Sequence, residues 1–252
     1  MPDTLRPIES ESPRLAQPLY TPIKRRSFFM YAGATAGATA LVLAGCSKEA
    51  ETAAPTVNVS LGTGDASVLN YAYALEQLEA AFYLKVVAAG ASTGLSAAEL
   101  SYFARVSAHE NIHRDFLQAA LNRDFAGSIL QNLTFNFDSI NFAKRTKDAG
   151  DTKPGVLDAA KAFEDLGVAA YNGAAKLFKK TAYLAIAGQI VSVEARHAAY
   201  VRDLLLPGSF AAADQVDATG FDKQLTPAVV IIEVNKYLDA TKIQLDVSTI
   251  GQ

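Results

Sequence analysis

Apolar residues recur at helical spacing through most of the chain beyond residue 64. Val68, Leu69, Ala72, Leu75, Leu78, Phe82 and Val86 stand one to four positions apart along one face, predicting a helix from Asp65 that stops between Gly90 and Gly94. Ser96 followed by Glu99 is a capping-box signature, and Leu100, Phe103, Val106, Phe116, Leu117 and Leu121 carry a second helix to about Asn122. After Pro154 and Gly155, a third helix is marked by Leu157, Ala160, Phe163, Leu166, Ala170, Ala174 and Phe178. The fourth runs from about Thr181 to Leu206, where Pro207 and Gly208 end it. Residues 123–153 hold Leu133, Phe135, Phe137, Ile140 and Phe142, which predicts a segment packed along the helices with the length of a crossover. Thr226 as N-cap and Pro227 as first helical residue predict a short fifth helix to about Thr241. No strand-rich region appears, so the expected class is all-α: an antiparallel four-helix bundle with a long crossover between its second and third helices and a short fifth helix.

The first part of the chain has another pattern. Lys24, Arg25, Arg26, Ser27, Phe28 and Phe29 lead into an uncharged run ending at Ala44, shorter than the ~20 residues of a comfortable membrane span. That is the layout of an export signal, and the paired arginines resemble the twin-arginine type. Leu43, Ala44, Gly45 and Cys46 resemble a bacterial lipobox, in which the cysteine is lipidated and becomes the first residue. An ordinary cleaved signal or an uncleaved anchor are the alternatives. The expected organisation is an export signal over 1–45, a flexible tether over 46–64, the helical bundle over 65–206 and a C-terminal extension over 207–252. The lipid would anchor the domain to the membrane of the bacterial cell envelope, on the periplasmic side.

Charge narrows the chemistry. Lys plus Arg number 23 against 26 Asp plus Glu, with no basic block beyond Lys24 to Arg26, which argues against a nucleic-acid partner. One cysteine forms neither an internal disulfide nor a Cys-rich zinc site, so any metal chemistry falls to carboxylates and the three histidines.

Two of those histidines are placed alike. Glu110 and His113 form one Glu-x-x-His pair, Glu194 and His197 another, each putting a carboxylate and an imidazole on one helix face. With 11 Glu in 252 residues, chance puts Glu three before a given His in roughly 4% of cases, so two such pairs are a strong signal. On the first and third helices, Glu76 precedes Tyr83 and Glu164 precedes Tyr171 by seven residues, or two turns. The offsets of 88 between these pairs and 84 between the Glu-x-x-His pairs make the first two helices look repeated as the last two. Glu76 and Glu110 are equidistant from position 93, and Glu164 and Glu194 from position 179, which sets them at one height in two helical hairpins. Four carboxylates buried together without counterions would each cost several kcal/mol. Metal cations are the natural solution, and mixed carboxylate and imidazole donors suit iron or manganese.

The stretch Phe163-Glu164-Asp165-Leu166-Gly167-Val168-Ala169-Ala170-Tyr171-Asn172-Gly173, with Leu75-Glu76-Gln77-Leu78-Glu79 and the two Glu-x-x-His pairs, resembles the ferritin-like domain family. Its exported bacterial branch is similar to plant desiccation-related proteins, and the resemblance covers about residues 64–206. It implies a ferritin-like bundle holding two iron or manganese ions, with Glu76, Glu110, His113, Glu164, Glu194 and His197 as ligands and Glu110 and Glu194 bridging. The implied activity is oxidation of the metal pair by dioxygen or hydrogen peroxide, as in a ferroxidase or a peroxide-removing protein. The rivals are a manganese catalase-like enzyme and a metal-binding, stress-protective protein without turnover. The sequence leaves a homo-oligomer open; a closed storage cage fits a tethered N-terminus poorly.

Tyr83 and Tyr171 are either core aromatics with hydrogen-bonded hydroxyls or catalytic residues that support a ligand carboxylate or donate electrons to an oxidised pair. Glu79 and His109 correspond to Gly167 and Val193 in the repeat, which leaves them outside the symmetric set and points to solvated or salt-bridged roles, with metal entry as the alternative. Arg114 and Arg196 are expected to point away from the site, and Phe135, Phe137 and Phe142 to be packing residues.

Overall fold

The computed structural model describes residues 57–238 and 243–252. The expected export signal, Cys46 and the expected tether up to residue 56 lie outside the described residues. Five α-helices carry the fold: α1 (Gly64–Ala89), α2 (Ala97–Asp124), α3 (Val156–Ala174), α4 (Thr181–Leu205) and α5 (Pro227–Asn235). Short 3-10 turns at Gly90–Thr93 and Ala175–Leu177 lead out of α1 and α3. Helix α1 packs along α2, α3 along α4, and α1 also meets α3 and α5. Among the described residues, no helix is long and apolar enough to cross a membrane.

Helix α1 is buried on nearly every face, from Ala66 through Val86, because its sequence alternates apolar residues with tyrosines and short side chains that tolerate neighbours all round. Its polar side chains take over the work of a strand for the crossover: Asn70 donates to Ser128 O at 2.6 Å and accepts from Leu130 N at 2.9 Å, and Gln77 accepts from Leu133 N at 2.7 Å. The crossover is therefore an ordered layer. Phe137 is buried against Phe82, Phe142, Phe163 and Tyr237. The capping box opens α2 as expected, with Ser96 and Glu99 bonded reciprocally. Glu99 also accepts two bonds from Arg145, whose guanidinium reaches Leu204 O at 3.0 Å and so fastens the start of α2 to the end of α4.

Two expectations need correction. Residues 57–64 are not tether: β1 (Val57–Ser60) pairs in parallel with β2 (Ile243–Asp246), Val57 opposite Ile243, and Leu61 is buried. The strand partner lies almost a whole domain away in sequence, where no local pattern reveals it. The fifth helix stops at Asn235 instead of near Thr241, because the Asn235 side chain brackets Leu245, donating to its carbonyl and accepting from its N–H. Thr226 occupies the N-cap position without a side-chain cap bond. The C-terminal residues pack back on the bundle. Leu225 N bonds Ala169 O on α3 at 2.9 Å, and a Cβ on Gly173 would stand 1.8 Å from Leu225 O, a close approach that only glycine permits.

Candidate metal centre

Helices α1 to α4 each send a glutamate into the middle of the fold. Glu76, Glu110, Glu164 and Glu194 are all fully buried. His113 sits one turn beyond Glu110 on α2, and His197 one turn beyond Glu194 on α4, so each imidazole comes up beside its own carboxylate. The six residues form two overlapping groups. In the first, ligand atoms of Glu76, Glu110, His113 and Glu194 all lie within 4.8 Å of one another; in the second, those of Glu110, Glu164, Glu194 and His197 do.

Glu110 and Glu194 belong to both groups, and their oxygens divide between them. His113 Nδ1 is 2.9 Å from Glu194 Oε1, 3.4 Å from Glu110 Oε2 and 3.5 Å from Glu76 Oε2. His197 Nδ1 is 3.0 Å from Glu110 Oε1 and 3.6 Å from Glu164 Oε2 and Glu194 Oε2. These atoms converge without hydrogen-bond alignment. Glu76 Oε2, Glu164 Oε2, both oxygens of Glu110 and Glu194, and Nδ1 of both histidines are buried with no hydrogen-bond partner. Orphaned donors of this kind are expensive in a core unless a cation satisfies them, so the residues fit a di-metal site.

The model of the ferritin-like domain family matches residues 64–207. The chain belongs to the ferritin-like domain family. A comparison with curated proteins gave no match.

In this ferritin-like domain the two outer carboxylates are held from behind by tyrosines. Tyr83 donates to Glu164 Oε1, and Tyr171 to Glu76 Oε1, leaving Oε2 of each to face the centre. The hydroxyls thus cross between the two repeats, each serving the glutamate of the other.

The electrostatics carry the same message. Burial pushes the Glu76 carboxyl up to about 8, with Glu194 adding to the push and His113 opposing it. Burial also holds Glu164 well above the usual range against the attraction of His197. Burial would raise Glu110 too, but its contacts with His113 and His197 outweigh that and hold it at about 2. The histidines move the other way: burial disfavours their charge, yet the facing carboxylates lift His113 to about 12 and His197 to about 10. Without metal, protons on imidazole stand in for the positive charge that the cluster demands.

Two residues depart from expectation. Glu79 is not solvated: it is buried on α1, its carboxyl driven well upward by burial and then by Glu194 and Glu110. It lies against Gly167 on α3, where an added Cβ would be 2.8 Å from Glu79 Oε1. Gly167 is the residue the repeat pairs with Glu79, so one carboxyl fills the space between two equivalent positions. His109 has an exposed ring but is not merely solvated, because its Nδ1 lies 2.9 Å from His197 Nε2 with the two rings only 10° from parallel. Burial and the neighbouring His197 hold its pKa below the ordinary histidine range. Asymmetry within the repeat sets both apart, and no spacing in the sequence joins His109 on α2 to His197 on α4. Arg114 and Arg196 are turned to Asp115 and Ser192, away from the centre.

Proposed function

We propose that this ferritin-like domain holds two iron or manganese ions and oxidises them with dioxygen or hydrogen peroxide, acting as a ferroxidase or in peroxide removal. The observation that supports it most is the division of oxygens in Glu110 and Glu194, each of which faces both histidines. Glu110 and Glu194, common to both groups, would serve both ions, with Glu76 and His113 holding one and Glu164 and His197 the other. When bound, the two ions would together supply the electron pair that reduces an oxygen-derived oxidant.

The protein's own part is placement. The bridging carboxylates tolerate changes in the charge and separation of what they hold, the histidines present Nδ1, and Tyr83 and Tyr171 keep the outer carboxylates from rotating. Burial excludes bulk water from the carboxylates. The reading includes an antiparallel arrangement of α1 to α4 and places the domain outside the cytoplasm, with Cys46 lipidated after removal of residues 1–45. Mass spectrometry of the cell-derived protein should then find a lipid-modified Cys46 at its N-terminus.

The decisive experiment is metal loading of purified protein, with elemental analysis and rates of ferrous oxidation and peroxide loss. About two ions per chain are expected, and Glu110→Ala or Glu194→Ala should lose most of both ions and the oxidation activity while keeping helical circular dichroism. Full metal content and activity in both variants would sink the dinuclear reading. Peroxide loss with manganese, but no ferrous oxidation, would move the assignment to a catalase-like enzyme; bound metal with neither activity would move it to a protective metal-binding protein.

A further inference from the structure

The repeat makes the two ends of the centre alike on the inside and unlike on the outside. His197 turns Nδ1 to the carboxylates and Nε2 to His109 Nδ1, 2.9 Å away. Val193 follows His109 at the same 84-residue offset that relates His113 to His197. It therefore stands beside His113 where an imidazole stands beside His197, and it has no acceptor to offer. With Ile112, Phe116, Ile186 and Ile190 it lines a groove of about 240 Å³ that reaches His113 and is apolar apart from Gln189.

An imidazole that ligates through Nδ1 keeps its proton on Nε2. A fixed acceptor for that proton selects the tautomer, holds the ring plane and strengthens the ligating nitrogen. His109 supplies such an acceptor when its own proton is on Nε2. The exposure of its ring leaves that N–H to water.

We propose that His109 is a positioning residue that makes the His197 end of the centre the tighter metal subsite, so that the His113 end, beside the apolar groove, fills second and exchanges first. This rests on the dinuclear reading. It adds to that reading an order of binding and the residue that sets it.

Titration of chelator-stripped protein with Co(II), followed by calorimetry and by the visible absorption bands of the ion, tests both together. The wild type should bind in two resolved steps, and His197→Ala should remove the tighter one whereas His113→Ala removes the weaker. His109→Ala should weaken the tighter step by about 10- to 100-fold and leave the weaker in place. His109→Asn, whose side-chain oxygen lies close to the position of Nδ1, should restore most of the loss. A wild type that takes two ions with constants unchanged in His109→Ala overturns the inference alone, as does equal weakening of both steps without recovery in His109→Asn. A wild type that takes no Co(II) overturns the dinuclear reading and this inference with it.

Discussion

The hydroxyl of Tyr83, on α1, is bound to Glu164 on α3, and Tyr171 on α3 returns the same bond to Glu76 on α1. Each repeat thereby fixes the outer carboxylate of the other. Burial, followed by the carboxylate each one faces, raises both phenols well above their usual range, so the proton stays on the tyrosine and each hydroxyl acts as a donor.

Removing either hydroxyl should leave a buried carboxylate oxygen without its donor. Tyr83→Phe and Tyr171→Phe are expected to lower the stability of the metal-free protein by about 1–3 kcal/mol each. Urea unfolding in the presence of a chelator measures this. Unchanged midpoints in both variants would show that the tyrosines are only filling space.

Stability of the metal-free protein should fall as pH rises through the neutral range. The folded carboxyl of Glu76 sits at about 8, and His113 and His197 at about 12 and about 10, so the folded chain keeps protons that the unfolded chain releases. Their stabilisation is complete at low pH and is lost for Glu76 between about pH 4.5 and 8, and for the histidines from about pH 6.5 upward. Glu110, held at about 2, works in the opposite sense, with a contribution present above about pH 4.5 and lost as the pH falls from there through about 2. Metal competes with those protons, so the loaded protein should gain stability over the same interval. Thermal unfolding at about pH 5 and about pH 8, with and without chelator, should give slopes of opposite sign; parallel slopes would contradict the assignment.

The C-terminal segment should be released by one methyl group. Gly173→Ala places a Cβ against the backbone of Leu225, which must move and break its bond to Ala169 O. A loss of about 1–3 kcal/mol is expected, together with faster proteolysis after residue 207. Resistance to protease equal to that of the wild type would mean that the segment is held elsewhere.

Glu79 and Gly167 should be exchangeable only as a pair. Gly167→Glu alone sends a second carboxyl toward Glu79 and should cost about 1–3 kcal/mol, whereas Glu79→Ala combined with Gly167→Glu should recover at least about 0.5 kcal/mol beyond additivity. A double-mutant cycle by urea unfolding measures the coupling, and strict additivity would argue against the contact.

Much of the centre was legible because helical geometry is local. A three-residue spacing fixes Glu110 beside His113, and distance from a turn fixes the height of Glu76 against Glu110, with no tertiary information needed. The capping box at Ser96 was readable for the same reason. The partners of Tyr83 and Tyr171 were not, since a seven-residue spacing puts tyrosine and glutamate on one face but does not say which glutamate of the neighbouring helix receives the bond. Strand β1 escaped because four residues acquire their meaning only from β2 at the other end of the domain. Glu79 escaped for a third reason: its lack of a counterpart in the repeat reads as a place outside the site, whereas the missing side chain of Gly167 is what gives the carboxyl its room.

The contact between Glu79 and Gly167 also bears on how such a chain came to be. Equivalent positions that touch must lie beside the axis relating the two halves, where both compete for one volume. Two identical hairpins assembled as separate molecules would carry the same residue twice, either crowding two carboxyls together or leaving a void. A single polypeptide escapes that constraint, because each half mutates independently of its copy. The single carboxyl at this contact is therefore open to a joined chain and closed to two identical hairpins.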